Sequence, residues 1–140
     1  MKLTEAYHEL SYYTLTHPDA LRFIHQHAVD AQAAQTADAT TKPITVVFAL
    51  VGLHLLLEQG YTGREVQQAH VALTRYKDKF PHVELPEKRG TMTVDDVLQY
   101  PPGPQRDAAI TDWCTRVWNA FDQVTRANIA SYCKKYLPHR

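Results

Sequence analysis

Histidine is the residue type through which this chain of 140 residues could do chemistry, because eight of its residues are histidines. Several lie in stretches whose apolar residues recur every three or four positions, which is typical of helices that pack against other helices. Imidazoles projected from facing helices build metal sites inside bundles. The pattern therefore predicts a site for a divalent metal, with zinc, nickel, iron and manganese as the alternatives.

The first group of candidate ligands lies in one predicted helix. His27 and Asp30 are three positions apart and therefore adjacent on the helix surface. His25 and His27 diverge by roughly 200° at 100° per residue, so one metal could use only one of them. The apolar positions of this helix place Asp30 nearer the solvent.

A later helix offers a second imidazole, because His70 stands within an apolar stripe. His54 lies deepest, among leucines, where a neutral ring bonded to a carbonyl or a tyrosine is the simpler interpretation. A bound metal would polarise a substrate or activate water, as in a metal-dependent hydrolase or transferase. The predicted ligands are His27, Asp30 and His70, with His25 or His54 as exchangeable members.

Two other functions compete with the metal site. A small anionic metabolite could bind to cations at helix starts and in a proline-rich loop, helped by His25. The ligand-binding candidates are Lys42, Arg89, Arg106 and Tyr12. The structural alternative for Arg89 is that it ties the loop to the bundle through carbonyls or a carboxylate. The chain could instead be a non-catalytic, homo-oligomeric interaction module with an aromatic surface.

Several classes are disfavoured by composition and motifs. Lysine plus arginine equals aspartate plus glutamate, so no net field favours nucleic acid or an anionic membrane. HExxH, CxxC, Walker and GxGxxG patterns are missing from the sequence. The chain begins without the apolar segment of a secretory signal, which predicts a cytoplasmic protein. Cys114 and Cys133 would lie about 28 Å apart in one continuous helix, too far for a disulfide.

The elements that must position these residues are all helical. The predicted fold is an all-α, single-domain bundle of about five main helices around a central apolar helix, with one long proline-rich loop over residues 81–104. The central helix is interrupted only by Thr45, Gly52 and His54, and is too short for a bilayer. The predicted helices span about 3–15, 18–37, 44–57, 62–80, 94–99 and 104–137, the last with a kink or a break near 125–128.

Local signals mark the ends of these helices. Thr16 followed by Pro18 is typical of a helix start, and so is Thr41 followed by Pro43. Gly60 indicates a helix stop. The residues after it form a capping box, and a similar cap precedes the short helix. These start signals are Thr62–Glu65 and Thr93–Asp96.

Five segments carry a resemblance to a known family: 12–15 (YYTL), 23–31 (FIHQHAVDA), 41–44 (TKPI), 89–90 (RG) and 112–114 (DWC). Through them nearly the whole chain resembles a bacterial family of small helical proteins known only as a domain of unknown function. The resemblance implies kinship and no activity. The architecture is also similar to DinB-like metalloprotein bundles, which use one early histidine and a His-x-x-x-His pair. This chain lacks that pair, so the likeness is one of architecture alone.

Overall fold

The computed structural model describes residues 2–138, and every regular element within that range is helical. The prediction of an all-α fold is therefore confirmed. A 3₁₀ turn, Thr74–Lys79, follows the fourth helix. The helices are α1 Leu3–Leu15, α2 His25–Thr36, α3 Pro43–Gln59, α4 Gly63–Leu73, α5 Val94–Leu98, α6 Pro104–Ala120 and α7 Gln123–Tyr136.

Helix α3 is the axis of the bundle, as its apolar sequence predicts. Nearly every side chain from Val46 to Leu55 is buried, and the helix contacts α2, α4, α6 and α7. Pro43 occupies its first turn, and Gly60 ends it in the left-handed conformation with φ of 69°. Lys42, not Thr41, is the N-cap residue. No helix within residues 2–138 combines the length and apolar character needed to cross a bilayer.

Helix α2 begins at His25, so the prediction of a start at Pro18 is wrong. The Thr16 hydroxyl donates to carbonyls of α1 and therefore completes that helix instead of starting the next. Phe23 then has φ of 44°, which breaks any helix through this segment. A Cβ on Gly63 would lie 1.8 Å from the Phe23 carbonyl oxygen, so this turn packs directly against the start of α4.

The C-terminal part of the chain forms two helices, so of the predicted kink or break it is the break that occurs. The break lies at residues 121–122, before the predicted position, because Asp122 caps α7 by accepting from the Thr125 amide at 2.7 Å. Cys114 and Cys133 consequently lie on different helices, contrary to the prediction of one continuous helix. Both are buried free thiols, so the absence of a disulfide between them is confirmed.

Helix α4 is shorter than predicted, and its end shapes the site described below. The capping box between Thr62 and Glu65 forms as predicted, with both reciprocal hydrogen bonds. The α-helix ends at Leu73, however, and the chain continues to Lys79 as the 3₁₀ turn. This turn lies at one end of an open groove on the surface of the bundle.

Candidate functional site

A groove of about 460 Å³ lies between α2, α3 and α4, with the 3₁₀ turn at one rim. Two of the predicted metal ligands, Asp30 and His70, line it. The other polar lining residues are Gln26, Thr45, Thr74 and Lys77. The apolar lining residues are Val29, Ala33, Ile44, Phe48, Ala49 and Val71.

Asp30 is the most deeply placed polar residue of this groove, being 3% exposed. Its prediction as a side chain nearer the solvent is therefore wrong. The face of α2 that packs on the bundle is made of alanines, which are small enough to bring the helix close to its neighbours. Asp30 shares this face, as its burial beside Ala28, Ala31 and Ala34 shows.

The Asp30 carboxyl is only half satisfied by hydrogen bonds. Its Oδ1 accepts from Gln26 Nε2 at 3.1 Å, one helical turn earlier. Its Oδ2 is buried and has no hydrogen-bond partner among residues 2–138. A Cβ on Gly52 would lie 1.8 Å from this oxygen, so only glycine on α3 leaves room for the carboxyl.

Burial raises the pKa of Asp30 well above its usual 3.8, and the hydrogen bond from Gln26 opposes this only in part. The side chain therefore keeps its proton at pH values where an exposed aspartate has lost it. Because Oδ1 accepts from Gln26, the proton belongs on Oδ2. Asp30 is thus a buried carboxylic acid, the state that donates a hydrogen bond or acts as a general acid.

His70 stands half-buried across the groove and bonds to the same part of α3. Its Nε2 lies 2.8 Å from the Phe48 carbonyl oxygen, and its ring stacks on the Phe48 ring with centroids 5.3 Å apart. Burial lowers the pKa of His70, so the ring is neutral and Nε2 carries the proton that it donates to Phe48. The remaining nitrogen, Nδ1, is an acceptor.

The other candidate histidines lie elsewhere. His25 Nδ1 bonds to the Thr14 hydroxyl of α1 at 2.8 Å. His54 Nδ1 bonds to the Glu58 carboxylate on its own helix, so its predicted partner, a carbonyl or a tyrosine, is wrong. The carboxylate is available because Glu58 is one turn further along α3.

His27 is buried and lines a different, smaller hollow of about 200 Å³. Its Nδ1 has no hydrogen-bond partner in the described part of the chain. Burial, and the nearby charge of Arg22, lower the pKa of His27 to about 4. The ring is therefore neutral at physiological pH.

These positions bear on the predicted metal site. Of its five candidate ligands, the groove brings Asp30 and His70 together and leaves the other three outside. Within residues 2–138, no three His, Cys, Asp or Glu side chains are grouped so that they could hold a metal ion. Catalytic zinc sites use three protein ligands, so the described residues do not form a preassembled centre of that kind.

Arg89 ties the proline-rich loop to α2, which is the structural alternative considered for it. Its guanidinium donates from Nη1 to the carbonyl oxygens of Ala34 and Ala37, and from Nε to that of Pro86. These bonds use the carbonyls that α2 leaves open at its C-terminal end. The cation therefore serves the fold at this position.

The remaining ligand-binding candidates occupy separate places. Lys42 is exposed at the N-cap of α3, and Tyr12 is 72% exposed on α1. Arg106 donates to the carbonyl oxygens of Tyr100 and Leu98 and lies 4.8 Å above the Tyr13 ring. It therefore fastens the segment between α5 and α6.

Three residues in or next to the groove have no role in the predicted metal and anion sites. Gln26 is one turn before Asp30, and this spacing could have predicted their hydrogen bond. Gly52 lies in the middle of an apolar helix, where glycine commonly marks the close approach of another group. Lys77 carries no signal of its own, because it reaches the groove only through the 3₁₀ turn.

A known protein family matches most of the chain. No curated protein and no solved structure matches the chain. A family described as a family of unknown function, DUF5946, matches residues 4–122. That range includes α1 except for Leu3, all of α2 to α6, and every residue that lines the groove. The predicted resemblance to a domain of unknown function is thereby confirmed, and the chain belongs to the DUF5946 family.

Proposed function

We propose that this protein binds a small, mainly apolar organic molecule in the groove between α2, α3 and α4, with Asp30 as its innermost polar group. Pockets for small molecules are typically about 300–1,000 Å³, mostly apolar and equipped with a few polar groups. The groove has a volume of about 460 Å³, and its lining has this composition.

The observation that carries the proposal is the unpartnered Oδ2 of Asp30. A buried polar atom without a hydrogen bond costs about 1–3 kcal/mol of stability. Gly52 on α3 leaves the space that this carboxyl occupies, because a side chain at position 52 would collide with it. A group that costs stability at the wall of a groove is best explained by what the groove binds.

A fragment screen observed by NMR on the labelled protein tests this proposal. We expect hits that shift the amide signals of groove residues such as Phe48 and Val71. Ala33→Leu places a larger side chain on the groove wall and should weaken these hits at least about tenfold. The matched control is Ala130→Leu, a half-buried alanine that lines another hollow.

Two outcomes would count against binding at this place. One is a screen in which no fragment shifts the signals of the groove. The other is a set of hits that Ala33→Leu and Ala130→Leu weaken equally. Loss of binding in Ala33→Leu alone supports the groove as the binding site.

A divalent metal stays a prediction, and so does metal-dependent hydrolysis or group transfer. Asp30 and His70 are the two candidate ligands that share the groove. Elemental analysis of protein purified without a histidine tag tests the metal. A stoichiometric metal that His70→Ala removes would replace the present proposal with a metal centre. Homo-oligomerisation also stays a prediction, which the mass in solution tests.

The cytoplasm is the proposed location. Its support is the state of the two cysteines, which are buried free thiols, as is common in a reducing compartment. Burial raises the pKa of Cys133 to about 12, so this thiol is unreactive. The bacterial source implied by the family resemblance stays a prediction.

A further inference from the structure

One basic side chain lines the groove in the described part of the chain. Asp30, the only carboxylate residue that lines the groove there, is 3% exposed, and its Oδ2 lies against Gly52 of α3. His70 is half-buried, and its Nε2 is bonded to the Phe48 carbonyl oxygen. Lys77 is exposed and is the one lysine or arginine within residues 2–138 that lines the groove.

The rim that carries Lys77 is basic as a whole. The 3₁₀ turn contains Arg75, Lys77 and Lys79 against a single acidic residue, Asp78. Asp78 lies 3.9 Å from Lys79, and within residues 2–138 Lys77 makes no ion pair. An anion at this end of the groove would meet a cation that no carboxylate compensates.

The body of a ligand in the groove would meet apolar side chains. The apolar residues that line the groove include Val29, Ile44, Phe48 and Val71. These side chains favour hydrocarbon. Lys77 would repel a cationic ligand.

We infer that the groove selects monocarboxylates with an apolar chain, whose carboxylate binds Lys77 at the rim while the chain lies along the groove. This inference rests on the proposed function and adds the chemical class of the ligand. Lys77 would determine which ligands the groove selects, and the apolar walls would provide the affinity for the hydrocarbon chain of the ligand.

Three probes of equal chain length test the inference: hexanoate, hexan-1-ol and hexylamine, each titrated into the whole protein and followed by NMR. We expect hexanoate to bind about fivefold more tightly than hexanol, because an exposed ion pair contributes modestly. Hexylamine should bind least. Lys77→Gln should reduce the affinity for hexanoate to that for hexanol, and leave hexanol unchanged.

Lys79→Gln is the matched control, because it removes the same charge from the same turn at a residue that does not line the groove. It should keep the preference for hexanoate. The inference is overturned if Lys77→Gln and Lys79→Gln act alike, if the three probes bind equally, or if hexylamine binds best.

The two proposals fail in different ways. Equal binding of the three probes in the groove overturns the selection of carboxylates and leaves small-molecule binding intact. Failure of all three probes, while other fragments still bind there, has the same consequence. Failure of every fragment to bind overturns both proposals.

Discussion

Two of the three glutamines of helix α2 meet very different surroundings. Near its C-terminal end, Gln35 donates from Nε2 to the carbonyl oxygens of Arg89 and Met92, and its Oε1 accepts from Trp113 Nε1 at 3.0 Å. Near its start, Gln26 donates to Asp30, whose other oxygen has no partner in the described chain.

Gln35 therefore stabilises the fold through its hydrogen bonds, whereas the half-satisfied carboxyl of Asp30 costs stability. The hydrogen bonds of Gln35 satisfy both ends of its amide. They join the proline-rich loop to α2 and α6, so each bond stabilises the others. The Asp30 site is incomplete among the described residues, so its missing partner has to come from water, from a ligand or from movement of the carboxyl.

The largest expected effect comes from filling the space beside Asp30. Gly52→Ala should destabilise the protein by about 2–4 kcal/mol, because the new methyl group collides with the buried carboxyl in the tightly packed interface of α2 and α3. Urea unfolding at neutral pH measures this. The gain in helix propensity from glycine to alanine offsets only about 1 kcal/mol.

A double mutant shows whether Asp30 is the cause. Asp30→Ala removes the colliding atoms, so Gly52→Ala should cost at least about 1 kcal/mol less in that background than in the wild type. Additive effects of the two substitutions would contradict the close approach of Asp30 to Gly52. Asp30 would then not be the cause of the destabilisation by Gly52→Ala.

Breaking the satisfied region should cost somewhat less. Arg89→Ala removes the guanidinium that bonds three carbonyls and should destabilise the protein by about 2–3 kcal/mol. Thermal unfolding measures the loss. Lys88→Ala, at the exposed neighbouring position, should stay within about 0.5 kcal/mol of the wild type. Binding of hexanoate should be unchanged, and a loss of binding in folded Arg89→Ala would contradict the separation of the two regions.

The sequence predicts those features that local chemistry determines. Helix α3 follows from its apolar run, and its end follows from Gly60. The start of α4 follows from its capping box at Thr62. Each of these signals acts within one or two helical turns, where no distant part of the chain competes with it.

The errors lie where distant contacts decide. The start of α2 depends on the packing of the turn at Phe23 against Gly63, forty residues away along the chain. The burial of Asp30 depends on Gly52 in another helix. An alanine-rich helix gives little contrast between its faces, so the sequence could not tell which side of α2 faces α3.

A pH-dependent difference in stability is expected from the proton on Asp30. The pKa of Asp30 is raised by burial, so above pH 3.8 the unfolded chain releases a proton that the folded protein keeps. Rising pH therefore destabilises the wild type until the folded protein also loses this proton. Asp30→Asn does not titrate, so its stability should be close to that of the wild type near pH 4 and should exceed it increasingly as the pH rises to 7.

Urea unfolding of both chains at pH 4, 5.5 and 7 measures this divergence. The neutral His27, whose pKa is lowered to about 4, destabilises both proteins as the pH falls below 6.5, so its effect cancels in the difference. Asp78→Asn, at a side chain that is 75% exposed, is the control and should follow the wild type within about 0.5 kcal/mol. A difference that does not grow from pH 4 to pH 7 would mean that Asp30 is ionised in the fold.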